Sequence, residues 1–548
     1  MTEFTTAMGH IQGANRHEEI QCPPRLDEYI PDDNPVRFID AFVDELHLEA
    51  LGVRHAVAAA TGRPSDHPGD LLTLYIDGYL YRLRSSRRLE QETPRNVELM
   101  WLRKKLRPDH KTIANFRRDH LKPLREVCRA CTLLCTQLEL FGGALVAIDG
   151  SQLRAVNAKG RHCTKAKLER VLRHIEARVE GSLKELEAAD DHDEAGPPGG
   201  ARAANLQTQI AARRERRLRY EALQAELKRS GQDQLALTDA DSRSMQRGNG
   251  GGTAVCSNVQ TAVDAKHTLI VACEVTNDPT DRDWLSPLAV AAKEVRGGPF
   301  DAVADRGYYH GQEVKKCLQA GLTPSIARPS TSANAKLGLC SKDDLTYEAA
   351  TDTYRCPAGE GRSCRFDTVE LGRHMRYYAT SACRTCPLKT RCTRNTGGRR
   401  ITRWVDEHLL EQMAQRVHAR PEIMQQRKEI VAHPFGTMKR SWHQGYFLRR
   451  GLAKVRAEFS VTVLAYNLRR VLNLVDMPRL LASLGSGWQE ALVGPTERLL
   501  MRDTRTSSRP HDRFNLLARL IWPSARSFDT VWCLVRLRTD TRGLEKCS

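Results

Sequence analysis

Residues Gly143 to Ser151 read GALVAIDGS, with apolar side chains from Ala144 to Ile148 and no charge among them. Such a run reads as a strand buried on both faces. It delivers Asp149 to the strand's C-terminal edge, where Gly150 lets the chain turn away. Sheets of α/β proteins place their chemistry there, because the strand fixes the backbone while the side chain faces the crevice beyond the strand ends. A second stretch, Phe300 to Tyr308 (FDAVADRGY), repeats the pattern with a short strand ending in Asp305 and followed by glycine. The two acids are far apart in sequence, so only a fold can bring them together. One such Asp alone is more often a helix cap or turn residue. Two of them in one basic chain point to a divalent metal site.

Charge supports a nucleic-acid partner for that site. The 548 residues carry 85 Lys+Arg against 67 Asp+Glu, a formal +18, with a pI near 9.3. That balance suits a protein that neutralises phosphates. The length gives room for several domains, and 40% hydrophobic residues with regular periodicity can bury a core. No early segment has the form of a signal peptide and no apolar run is long enough to span a bilayer, so neither secretion nor membrane insertion is expected. A cytoplasmic, nucleoid-associated protein is. Its 16 Cys then read as buried thiols or metal ligands rather than disulfides.

Residues 1–25 are polar and expected to be loose, and 26–140 read as an all-α DNA-binding domain. Asn34 and Pro35 are placed to start a helix through VRFIDAFVDELHLEALGV. After Pro68 a single second helix is expected through DLLTLYIDGYLYRLRSSRRLEQE, carrying Arg82, Arg84, Arg87 and Arg88 at its far end. A third segment breaks at Pro108 between two basic pieces that hold Lys104, Lys105, Arg117 and Arg118. Arginines on one helix ordinarily decorate a solvated face. Three successive helices with basic ends predict phosphate contact.

The region 141–475 reads as an α/β catalytic domain with two interruptions. At about 160–235, two long stretches rich in Ala, Leu, Glu and Arg flank the Pro/Gly-containing DDHDEAGPPGG and predict a helical hairpin. At about 330–403 a loop-rich segment holds Cys356, Cys383, Cys386 and Cys392. Thiolates two residues apart can fill two corners of a tetrahedral Zn2+ site, with the other two completing it; unpaired thiols are the alternative. A long amphipathic helix closes the domain around Val455 to Leu468. Residues 476–548 are an Arg-rich extension with no role legible in them.

The order of parts resembles the DDE transposases of bacterial insertion sequences, in particular the IS1182-like group related to IS5 and IS4: basic helices, IDGS, a helical insertion, ADRGY, a Cys-containing insertion and RKEIVAHPFGTMKR. The resemblance covers about residues 20–475. It implies an RNase H-like core, a mixed sheet flanked by helices, with the first Asp on the first strand and the second after the fourth; Asp149 and Asp305 match. It also implies Mg2+ (or Mn2+) held by those acids for in-line phosphoryl transfer. The partners implied are double-stranded DNA, as terminal inverted repeats and target, and further copies of the chain as a homo-oligomer.

The third acid departs from the family. A Glu is expected in a segment like VEHPFG-x-x-K, but Ala432 stands there, while Lys439 keeps the place of a DNA-contacting lysine and is followed by Arg440. Glu429 is a doubtful substitute, since three residues of helix displace it by about 4.5 Å. Two functions stay open: an active transposase, or a catalytically decayed copy that only binds DNA.

Overall fold

The computed structural model describes residues 25–57, 65–190, 199–246, 252–329, 334 and 337–485. Residues 1–24 and 486–548, where the loose N-terminus and most of the C-terminal extension were expected, lie outside them. The described residues form two compact units, one within 25–120 together with 472–485 and one within 121–471.

The smaller unit is helical: α1 (Pro35–Asp44), α2 (Pro68–Leu80), α3 (Ser86–Glu92), α4 (Val97–Leu102), α5 (His110–Asp119) and a returning helix, Met477–Leu484. Asn34 caps α1 as expected, its side chain accepting from the Val36 amide at 3.0 Å ahead of Pro35. The single helix expected after Pro68 is instead two. The chain leaves α2 through Arg82, which sits at φ 69°, and α3 folds back so that Leu89 packs on Gly78. A Cβ on Gly78 would lie 2.6 Å from Leu89, so the glycine makes the reversal possible.

The larger unit begins with α6 (Leu121–Gln137) and is built on a mixed sheet: β1 (Leu145–Arg154), then, beyond the short β2 (His162–Thr164) and β3 (Gln234–Ala236), β4 (Arg243–Gln246), β5 (Thr253–Asp264), β6 (Ile270–Thr276), β7 (Asp301–Ala304) and β8 (Thr323–Ile326). β1, β7 and β8 run parallel; β5 lies antiparallel to β1 and carries β4 and β6 on its far side. The expected hairpin is present as α7 (Lys165–Asp190) and α8 (Gly199–Ser230), tied by Arg217 of α8 to Glu176 of α7 at 3.4 Å. α9 (Leu285–Arg296) follows β6, and α10 (Gly311–Gln319) lies between β7 and β8.

The Cys-containing segment is more ordered than its composition suggests. It forms a five-stranded antiparallel sheet, β9 (Thr346–Glu348), β10 (Thr353–Arg355), β11 (Gly361–Glu370), β12 (Arg373–Ala379) and β13 (Ile401–Trp404), with the one-turn helix α11 (Lys389–Cys392) in the β12–β13 connection. Then come α12 (Glu407–Ala419), α13 (Glu422–Gly436), a π-helical turn Thr437–Ser441 and α14 (Leu452–Leu474).

Strand alternation divides the helices between two faces. Val146, Ile148, Ala302 and Ala304 point to one face and pack with Leu285 and Leu288 of α9, Val314 of α10 and Met413 of α12. α13 packs on β1 and β7, and Arg427 and Lys439 reach the odd-numbered side of β1 that carries Asp149 and Ser151. Among the described residues no helix is long and apolar enough to cross a membrane.

Candidate active site

β7 pairs with β1 only as far as Ile148↔Ala304, so the next residue of each, Asp149 and Asp305, emerges where the two parallel strands part. One sequence expectation is corrected here. Gly150 does not turn the chain away; β1 continues to Arg154, with Gly150 paired to Gln260 of β5. The glycine is needed for clearance instead, because a Cβ there would come 2.5 Å from Oδ1 of Asp281 and 2.6 Å from the Gln260 amide.

Asp149 accepts a hydrogen bond from the Gly150 amide at 3.0 Å, and Asp305 from the Gly307 amide at 2.8 Å, capping a short 3-10 turn. Arg427, on the buried face of α13, brings Nη1 to 3.4 Å from Oδ2 of Asp149. Burial pushes Asp149 up to about 6; the Arg427 guanidinium pulls the other way, and the charges of Asp305 and Asp281 add to the rise. Net negative charge thus exceeds what one guanidinium balances, a setting that favours a further cation.

Asp281 is the acid that sequence reading missed. It lies in the loop before α9 and is held through Oδ1 by Asn258 at 2.7 Å and Gln260 at 2.5 Å; Tyr308 donates its hydroxyl to the same Gln260. Burial raises its carboxyl, the two amides lower it, and Asp305 raises it again. The signal available in the sequence was the spacing of Asn258 and Gln260, two amides at alternate positions of β5 and so on one face of it. Asn258 and Gln260 pair with the even-numbered Gln152 and Gly150, which places Asp281 behind β1 relative to Asp149.

The third-acid positions do not approach Asp149. Ala432 and Glu429 are both exposed, and Glu429 accepts from Gln425 at 3.0 Å. The reason is helical phase: Ile423, Arg427, Ile430, Val431 and Pro434 form the buried face, and at about 100° per residue positions 429 and 432 fall on the other side. Lys439, in the π turn after Pro434, donates to Ser151 Oγ and to the Gln152 carbonyl at 2.9 Å. Arg440 is exposed.

The remaining basic residues separate by burial. Arg82, Arg87, Arg88, Lys104 and Lys105 are exposed, and Arg118 pairs with Asp119 at 2.8 Å. Arg84 and Arg117 are buried. The Arg117 guanidinium covers the Tyr75 ring and donates to the Arg84 carbonyl at 3.2 Å, so in this conformation these two brace the helices and cannot meet a phosphate. Cys356, Cys383, Cys386 and Cys392 all line one small cavity. Among the described residues no three His, Cys, Asp or Glu side chains stand in metal-coordinating geometry.

Residues 24–119 match the family model described as a transposase domain (DUF772), and residues 355–472 match the one described as a transposase DDE domain. Both matched models describe transposase domains. The DUF772 match spans α1 to α5 of the smaller unit, and the DDE match takes in β11 to β13, α13 and Lys439, while Asp149, Asp305 and β9 precede it. No functionally curated protein matches the chain. Among solved structures it is similar to a piggyBac transposase synaptic complex with hairpin DNA, at 11% identity over 87% of this chain and 86% of that one, with a TM-score of 0.27.

Proposed function

We propose that this transposase, of the IS1182-like group, binds the ends of its own element and catalyses Mg2+-dependent DNA cleavage and strand transfer from an RNase H-like core. The observation that carries the reading is the emergence of Asp149 and Asp305 side by side where adjacent parallel strands part. The strand order supports the core: leaving out the short β4, the main sheet runs β6-β5-β1-β7-β8, with the first acid on its first strand and the second directly after its fourth.

Asp149 and Asp305 are the residues to hold Mg2+ or Mn2+, which suit carboxylate oxygen. When bound, such an ion supplies Lewis-acid stabilisation of charge at the phosphate. Arg427 and Lys439 stand beside β1 as cations able to hold a DNA phosphate against Asp149 and Ser151. Arg82, Arg87, Arg88, Lys104 and Lys105 give the smaller unit an exposed basic surface for duplex DNA.

A second reading, a decayed copy that binds DNA without cutting it, is favoured by one observation: the α13 residue aimed at Asp149 is Arg427, and no carboxylate of that helix faces the site. The deciding measurement is Mg2+-dependent cleavage of DNA carrying the element's ends. Under the first reading cleavage is detectable, if slow, and is abolished by Asp149→Asn or Asp305→Asn. Binding of end DNA with no cleavage at any Mg2+ or Mn2+ concentration would establish the second.

A further inference from the structure

The α7–α8 hairpin is an arm with a small core of its own. Cys163, Leu168 and Leu227 are buried at its root, with Tyr220, Leu223 and Leu235 packed against them, and the pairing of β2 with β3 closes the root. The arm arises at a defined place. The chain leaves β1 at Arg154, beyond Asp149, and returns through β3 and β4 to β5. This is the edge of the sheet at which Asp149 and Asp305 emerge, so DNA laid over those acids would pass the root of the arm.

The two helices differ in charge. Residues 165–190 hold six Lys+Arg and six Asp+Glu, whereas 204–230 hold seven Lys+Arg and three Asp+Glu. Five of those seven fall within 213–219, and helical phase divides them. Arg213 and Arg217 continue the seam of Leu206, Ile210 and Tyr220 that faces α7. Arg213 donates to Ser182 Oγ and to the Arg178 carbonyl at 3.4 Å, and Arg217 pairs with Glu176 at 3.4 Å and Glu221 at 2.8 Å.

Arg214 and Arg219 fall on the side away from α7, with Arg216 at its margin over the Tyr220 ring. All three are exposed, and among the described residues no carboxylate forms an ion pair with them, because the acids nearest the seam are taken by Arg217. Within 213–219 Glu215 is the single acid. Arginines on one helix ordinarily decorate a solvated face. Here they are unneutralised, gathered in two turns, and mounted on an arm that springs from the edge carrying the candidate catalytic acids.

We propose that Arg214, Arg216 and Arg219, around the 67% exposed Leu218, form a contact surface for the phosphate backbone of duplex DNA, additional to the basic surface of the smaller unit. The inference rests on the proposed function in taking DNA as the substrate, and holds equally for a copy that binds without cutting. Charge complementarity selects the occupant: a polyanion gains from this face, while a second copy of the arm would meet it with like charge. Arg214 and Arg219 are about 7.5 Å apart along the helix, roughly two phosphate steps of one strand.

The test uses the full chain and a random-sequence DNA duplex, and needs no cleavage. The triple variant Arg214→Gln/Arg216→Gln/Arg219→Gln should bind with a salt slope smaller by about three and melt at the wild-type temperature. Arg87→Gln/Arg88→Gln should lower the slope separately, and the two effects should add when combined. A photo-crosslinking amino acid in place of Leu218, in an otherwise native chain, should attach to the DNA, and this measurement decides should the triple variant lose stability. A wild-type slope in the triple variant, or a crosslink that joins two copies of the chain and none to DNA, would overturn the arm surface while leaving the proposed function standing. Wild-type protein that binds no duplex, including one carrying the element's ends, would end both.

Discussion

Arg427 on α13 holds its Nη1 3.4 Å from Oδ2 of Asp149 on β1, an ion pair whose Nη1 has no hydrogen-bond partner. The pair is mostly out of water, with 11% and 24% of the two side chains exposed. The guanidinium therefore acts as the resident counter-ion of the strand-end carboxylate. Replacing Arg427 by Gln should raise the Asp149 carboxyl further above about 6, because its second-largest influence is removed and the first, burial, remains. Carboxyl carbon NMR titration reads this directly; an unmoved midpoint would show that the pair does not form in solution.

The same carboxylate makes metal-free stability fall with pH. Its folded value, about 6, exceeds the ordinary 3.8, so its contribution is complete below about pH 4 and is lost as pH rises through 6, up to about 3 kcal/mol. Asp149→Asn should remove that loss. Added Mg2+ should stabilise the wild type above pH 6 and not the Asn variant. Equal Mg2+ shifts in melting temperature for both proteins would argue against Asp149 as a ligand.

Asp77, in the middle of α2, is fully buried with both carboxylate oxygens unpartnered. Burial, with Glu98 adding to it, pushes it up to about 8. Its stabilising protonated form is complete below about pH 4 and is lost progressively as pH rises through 8. Asp77→Asn should leave a protein that is more stable than wild type at pH 9 and loses less on going from pH 5 to 9. A parallel pH dependence in the two proteins would place the carboxyl in contact with water.

Basic residues of the smaller unit should divide into two classes. Removing Lys104 and Lys105, or Arg87 and Arg88, should weaken duplex binding and reduce the salt slope by about one for each phosphate that is no longer neutralised, with melting unchanged. Arg103, fully buried and paired with Asp66 at 2.8 Å, should behave oppositely: Arg103→Met should cost about 3 kcal/mol of stability. Weaker binding at unchanged stability in Arg103→Met would reverse the division.

The sequence was most readable where one local rule acted alone. Asn34 and Pro35 began α1, the apolar run after Ala144 made β1, and composition announced the hairpin of α7 and α8. Reading failed where a distant neighbour decided the outcome. Gly150 resembled a turn residue, yet it is glycine because Asp281 lies against it. Arg84 and Arg117 looked like a basic surface until Tyr75 and the break at Arg82 turned them inward. The strands β9 and β10 are three residues each and β11 is mostly exposed, so alternation gave little signal there. Asp281 belongs to no local pattern and becomes visible only through what surrounds it.

The smaller unit is assembled from two remote parts of the chain. Met477, Leu480 and Leu484 of its last helix are buried, and that helix packs on α1, more than 400 positions earlier in the order of synthesis. On the ribosome, α1 through α5 therefore emerge long before the surface that completes them, and the whole larger unit is made in between. A chain released before Met477 would leave α1 without that cover. Acquisition of a finished smaller unit thus waits until the whole of the larger one has been synthesised.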